Sequence, residues 1–349
     1  MRFPLETSSV EALGFDAKPL SRLRELITAH IAEGRYPAGQ IAIARHGKLG
    51  VLWTLGDARL DPQRVPARDD TLWLLYSNTK VITACAVWVL VERGVLTFTD
   101  RVADHVPGFE AHGKGDISVI QLLTHQGGFP NAEVPREAWE DHELLRRAVS
   151  SFTLEWTPGS RVHYHRGAAH WVAAVLIEAL TKTDYRAFIR EHVTEPLGLG
   201  GDLFVGLPDA AHDRAADAHE PAPDGSRHVR RQDETTAEAR RAGTPGGGGY
   251  ATARGMAAFY QMLVQEGSSA ARACSRRGPS RTSRATSRAT ASTGTWAWRC
   301  IAGSVPICAG RRRRSGASDR SPLPGPSVTG VSAPRTAGLT PTRVSRSRT

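Results

Sequence analysis

Tyr76-Ser77-Asn78-Thr79-Lys80 sets a hydroxyl and an amine three positions apart. On a helix, residues three apart share a face, so the Lys80 amine can lie against the Ser77 hydroxyl. A serine hydroxyl attacks a carbonyl only when a neighbouring base takes its proton. Lysine can be that base where burial lowers its pKa. The apolar run Thr79–Leu96 (TKVITACAVWVLVERGVL) supplies the burial. Its helical N-terminus directs backbone N–H groups at a developing oxyanion. The chemistry implied is nucleophilic acyl transfer. Ser-x-x-Lys alone is common, and a surface serine beside a solvated lysine is the bland reading. Context has to decide.

The elements around the pair read as an α+β fold. Leu20–Glu33 places Leu20, Leu23, Leu26, Ile27 and Ile31 at helical spacing. Gln40–Arg45 and Leu49–Thr54 are β-rich runs joined by His46-Gly47-Lys48, a hairpin pattern. A helix packed on an antiparallel hairpin suggests a sheet flanked by helices rather than a βαβ repeat. Ser118–His125 is a short helix with Ser118 as its cap, and Gly127-Gly128 stops it. His170–Leu180, Tyr185–Val193 and Thr252–Gln265 are further helices. Residues from about 80 to 240 are expected to be all-helical, with the reactive groove between them and the sheet. His212–Arg241 is charged without a clear period.

The order of motifs resembles the superfamily of serine β-lactamases, penicillin-binding proteins and related esterases, class C β-lactamases in particular. Trp73–Leu96 carries the Ser-x-x-Lys. Thr97–Pro107 (TFTDRVADHVP) and Ile117–Pro130 (ISVIQLLTHQGGFP) follow it, then Trp156–Tyr164 (WTPGSRVHY) and Gly246–Met262 (GGGGYATARGMAAFYQM). The resemblance spans residues 20–266. It implies a β-lactamase/transpeptidase-like fold: an antiparallel sheet flanked by helices, with an all-helical region. It makes Ser77 the nucleophile and Lys80 its partner, and puts Tyr164 in the place of the tyrosine of the Tyr-x-Asn motif, sharing a proton with Lys80. Arg166 stands where the motif has asparagine, so the amide that helps hold a lactam side chain is missing. That departure favours an esterase-like hydrolase over an efficient β-lactamase. His125 is read as a hydrogen-bonded histidine at a helix end. His163, His165 and His170 cluster in sequence without a standard metal-ligand spacing or a carboxylate. Trp73 and Trp156 suit an acyl pocket or the core equally well. The expected substrate is a small ester or lactam, with no cofactor and no metal. The rival reading is a non-catalytic binding or regulatory protein on a decayed hydrolase scaffold.

Charge divides the chain. Of 45 lysines and arginines, 16 arginines lie in residues 268–349, beside one acid, Asp319. Residues 1–267 therefore hold 29 basic against 34 acidic groups, a mildly acidic body. A nucleic-acid partner is not expected of such a body, and any binding through the arginines would weaken steeply with salt. No signal peptide is visible in Met1–Asp16 and no run is long enough to span a bilayer, so a cytoplasmic protein is expected, with no membrane partner. The sequence gives no indication of oligomeric state. Only Cys85 lies in the body, inside an apolar pattern.

Two segments follow from this: a hydrolase domain over 1–267 that lacks its C-terminal strands, and an Arg/Ser-rich tail over 268–349. The tail lacks Phe, Tyr, His, Lys, Glu, Gln, Asn and Met, so its composition cannot bury enough apolar area to order it. The family's third motif, Lys-Thr-Gly or His-x-Gly on a strand, is not found beyond residue 266. Translation in the frame shifted by two bases changes this. Residues 326–331 (PSVTGV) then permit Phe-Gly-His-Arg-Gly, and 337–344 (AGLTPTRV) permit Trp-Ala-Asp-Pro-Asp-Thr-Gly. The tail is therefore read as out of frame. Without the strands it should supply, the hairpin near residues 40–54 keeps an open edge, and the chain as written is expected to fold poorly and act weakly. Sequencing the coding DNA should find wobble bases that encode those residues in the shifted frame; bases that forbid them would overturn the reading.

Overall fold

The computed structural model describes residues 5–225 and 228–265. Strand β1 (Glu6–Thr7) precedes helix α1 (Ala17–Ala32), whose N-terminus is capped by the Asp16 carboxylate accepting from the Lys18 N–H. His46 and Gly47 then take positive φ, 54° and 74°, which gives a turn whose hand matches strand twist. It folds β2 (Ala38–Arg45) back on β3 (Lys48–Arg59). β1 lies parallel on the far side of β3, and β4 (Val65–Pro66) pairs with the end of β3. The sheet order is β1-β3-β2, so the outer edge of β2 meets no strand among the described residues. The apolar face of α1 is only partly covered: Leu26 remains 52% exposed, and no residue of the helix is fully buried.

β5 (Trp73–Leu74) runs through one 3-10 turn, Tyr76–Asn78, into α2 (Thr79–Glu92). α3 (Val119–Leu123) opens with a capping box: the Ser118 hydroxyl accepts from Gln121 N–H while the Gln121 side chain accepts from Ser118 N–H. Next come α4 (His142–Ser150), α5 (Ala168–Thr181) and α6 (Tyr185–Ile189), which continues as a π-turn over Arg190–Thr194.

The helical region ends there, short of residue 240. β6 (Leu203–Val205) is a short apolar run, and β7 (His219–Pro221) pairs with β8 (His228–Arg230) as a hairpin. α7 (Gln232–Thr235) and α8 (Ala237–Ala242) then lead to β9 (Gly249–Ala251) and α9 (Ala253–Val264), capped by Thr252. β6 escaped the sequence reading because three residues are too few to show a period. Tertiary pairing makes it a strand: β9 takes β6 on one side and β5 on the other. That second sheet, β5-β9-β6, holds the approach to Ser77 in place. The fold is the α+β, β-lactamase/transpeptidase-like arrangement of sheets and helices.

The core explains the rigidity of this frame. α2 and α5 are apolar on almost every side, the pattern of a helix enclosed by others. Ile82, Ala86, Val87 and Leu90 share one buried cluster with Val172, Ala173, Leu176 and Ile177. α3, α4 and α6 pack round α5. Lys114 is a buried exception whose ammonium donates to the carbonyls of Ala111, Ser150 and Phe152 at 2.6, 2.9 and 2.6 Å. Burial pulls its pKa down to about 8. Among the described residues, no helix is long and apolar enough to cross a membrane. Leu176 is fully buried, whereas Val162 is 71% exposed. Leu176→Ala should therefore lower stability by about 2–5 kcal/mol, and Val162→Ala by less than about 0.5 kcal/mol. Urea unfolding of the two variants checks this, and equal losses would show that the core is not where the structure puts it.

Candidate active site

Ser77 sits in the 3-10 turn at the mouth of α2, with its side chain exposed, while Lys80 is buried one turn on. The helical spacing that set them on one face brings Lys80 Nζ to 3.2 Å from Ser77 Oγ. The same amine donates to the carbonyls of Arg166 at 2.8 Å and Gly246 at 2.6 Å. Three acceptors match the three donors of an ammonium. All the hydrogens of the Lys80 amine therefore have an acceptor within reach.

Tyr164 completes the group. Its hydroxyl donates to Ser77 Oγ at 2.5 Å, and Lys80 Nζ lies 5.0 Å from its ring centroid. Partial burial would raise the phenol pKa. Hydrogen bonding to Ser77 and the nearby Lys80 cation outweigh that and hold it below the ordinary 10.0. The structure thus brings Ser77, Lys80 and Tyr164 together, with a phenol tuned towards proton acceptance.

Two further segments make this possible. Residues 244–249 lie along the N-terminal end of α2: the Thr83 hydroxyl donates to Pro245 O at 2.8 Å, and Gly249 N–H donates to the Thr79 hydroxyl at 2.9 Å. A Cβ on Gly249 would stand 2.8 Å from that hydroxyl oxygen, so only glycine lets β9 approach so closely. The carbonyls of Gly246 and Arg166 are functional groups that side-chain reasoning could not name. The run Gly246–Gly249 was the visible signal of a close approach.

The β-lactamase family model matches residues 23–304. The chain belongs to the β-lactamase family. Among solved structures it is similar to a penicillin-binding protein homologue from Caulobacter crescentus, at 30% identity and a TM-score of 0.61, over 71% of this chain and 70% of that one. It is also similar to a family VIII carboxylesterase, at 27% identity and a TM-score of 0.62, over 70% and 69% of the two chains. A provisionally named D-alanyl-D-alanine carboxypeptidase of Escherichia coli K12 is 28% identical over 224 residues, 58% of this chain and 51% of the relative. The chain thus spans about half the length of the curated relatives it matches.

Within this β-lactamase-family site, the histidines act on the backbone. His125 takes positive φ, 62°, and its carbonyl accepts from His163 N–H at 3.0 Å. Its Nδ1 accepts from His165 N–H at 3.2 Å, and its ring lies 4.9 Å from that of Tyr164. His125 therefore pins the segment that carries Tyr164. His165 is satisfied on both nitrogens, accepting from Phe129 N–H at 3.2 Å and meeting His163 O at 2.7 Å. His170 is buried beside them with Nδ1 unpartnered among the described residues. His163 lies against Trp156, whose ring also carries the Arg161 guanidinium at 4.7 Å. Trp73, on β5, is half-buried.

The charged segment His212–Arg241 finds its place at the mouth. The Tyr76 hydroxyl donates to the Glu234 carboxylate on α7, and Arg231 pairs with the same carboxylate at 3.0 Å. Arg136 reaches Asp233 at 3.5 Å. Burial, then the Glu234 carboxylate, pushes the Tyr76 phenol up to about 12. The family's third motif and the reading-frame argument fall on residues outside the described ones.

Burial keeps His125, His165 and His170 neutral, His125 down to about 4, below the ordinary 6.5; neighbouring positive charge adds to this at His125 and His170. Below pH 6.5 the unfolded chain takes up protons that the folded one refuses. Stability contributed by the neutral rings is full above about 6.5 and is lost as pH falls towards 4. The midpoint of thermal unfolding should drop between pH 7 and pH 5. A midpoint that is flat over that window would show that these rings charge freely in the fold.

Proposed function

We propose that the chain is a serine hydrolase that cleaves an ester or a β-lactam amide by two-step acyl transfer through Ser77. The observation that carries this reading is the Ser77 hydroxyl held between Tyr164 at 2.5 Å and Lys80 at 3.2 Å. In its deprotonated form Tyr164 takes the Ser77 proton as Oγ bonds to the substrate carbonyl carbon. The oxyanion forms beside Ser77 at the N-terminal end of α2, where the helix dipole favours developing negative charge. Collapse of that intermediate breaks the bond to the leaving group, which receives the proton from Tyr164. Water, deprotonated in turn by Tyr164, then releases the acyl group and restores Ser77. Lys80, against Ser77 Oγ and the Tyr164 ring, favours the phenolate.

The named activities of the relatives, a carboxylesterase and a carboxypeptidase, both open carboxylic acid derivatives and support this class. The Arg166 departure tilts it towards esters. A second reading, a non-catalytic protein on the same scaffold, is favoured by the third motif not being found beyond residue 266.

A small fluorophosphonate separates the two. It should add once, at Ser77, and not to Ser77→Ala, as read by mass spectrometry. The rate should climb with pH through a pKa below the ordinary tyrosine value of 10.0, and Tyr164→Phe should slow it by about 10²–10⁴-fold. A chain folded by circular dichroism that takes no label at Ser77 would establish the non-catalytic reading instead.

A further inference from the structure

Arg166 carries a guanidinium that the rest of the structure does not use. Its carbonyl is committed, accepting from Lys80 Nζ at 2.8 Å, which fixes the residue beside the reactive group. Its side chain is exposed and, among the described residues, meets no carboxylate, carbonyl or aromatic ring. Other arginines near the site are engaged: Arg161 over Trp156, Arg136 with Asp233, Arg231 with Glu234. An arginine without a partner presents a planar fork of donors that matches a carboxylate in two parallel hydrogen bonds.

Tyr164 and Arg166 are both exposed, with His165 buried between them. The Arg166 carbonyl on Lys80 Nζ and the Tyr164 hydroxyl on Ser77 Oγ place both residues at one mouth, each with its side chain open to solvent. The Lys80 amine lies beneath that mouth, and Arg136 and Arg231 there are each paired with an acid, Asp233 and Glu234. The carboxylate across the mouth, Glu234, is already taken by Tyr76 and Arg231. An anionic group entering there would meet the Arg166 guanidinium with its donors free.

We infer that Arg166 is a specificity-determining residue which binds a carboxylate on the substrate, so that the preferred substrates are ester or amide acids rather than neutral esters. The inference rests on the proposed acyl-transfer site for its meaning, but its test does not need turnover. In Ser77→Ala, which cannot form an acyl-enzyme, binding of monomethyl glutarate and of dimethyl glutarate is compared by calorimetry. The two probes have the same chain and differ in one charge. The monoanion should bind about tenfold or more tightly. Arg166→Met added to Ser77→Ala should erase that preference, and Arg166→Lys should keep part of it, since an ammonium supplies charge without the fork. Raising salt should shrink the preference in Ser77→Ala and leave Ser77→Ala/Arg166→Met unmoved.

In the wild-type chain, the ratio of kcat/KM for the 4-nitrophenyl monoester of glutarate over 4-nitrophenyl valerate should fall about tenfold in Arg166→Met, with the change in KM. A preference for the monoanion that survives Arg166→Met, or no preference in Ser77→Ala, overturns the inference. Failure of fluorophosphonate to label Ser77 while the preference is present and lost on Arg166→Met would overturn the catalytic reading alone.

Discussion

A buried amine held by two backbone carbonyls is the constraint on which the rest of the site depends. Lys80 reaches Arg166 O and Gly246 O from the first turn of α2, across 86 and 166 residues of sequence. A buried ammonium without acceptors is costly, so each carbonyl must arrive at a fixed place. The segment bearing Tyr164 and the glycine run leading into β9 are positioned by that demand. The hydroxyl of Tyr164 then falls beside Ser77 as a consequence of where Arg166 has to be.

Packing supplies the platform on which such a demand can be met. α2 is fixed by the apolar cluster it shares with α5, so its first turn cannot tilt to relieve a misplaced carbonyl. From the other side, β9 is hydrogen-bonded between β5 and β6, and Thr79 and Thr83 tie its approach to the helix. The histidines reinforce this frame, since His125 binds the Tyr164 segment through both its carbonyl and its ring.

Much of this was legible in the sequence, for physical reasons that differ from place to place. Helices α2, α3, α5 and α9 showed themselves because long apolar periods, or a Ser cap with a Gln three residues on, are local properties. The hairpin β2–β3 was marked by His46-Gly47, a pair that tolerates positive φ. Ser77 and Lys80 were visible as a spacing. Tyr164 was reached only through the order of motifs, because nothing local separates it from any other tyrosine. What stayed hidden was whatever depends on the backbone or on distant pairing. β6 is a strand only because β9 lies beside it. The acceptors of Lys80 are carbonyls, which every residue carries. The segment around Glu234 showed charge but no period, and its hydrogen bond to Tyr76 spans 158 residues.

Tyr76, next to the nucleophile, is held at both ends. Its backbone sits at φ 45°, a left-handed conformation that costs a non-glycine residue on the order of 1–2 kcal/mol, and its hydroxyl is tethered to Glu234. A side chain so fixed has little rotational freedom left to surrender when a ligand comes to rest beside it. The ordering entropy is lost once, on folding, rather than on each encounter. Tyr76 therefore stands at the mouth as a stationary wall, its place set before any ligand is present.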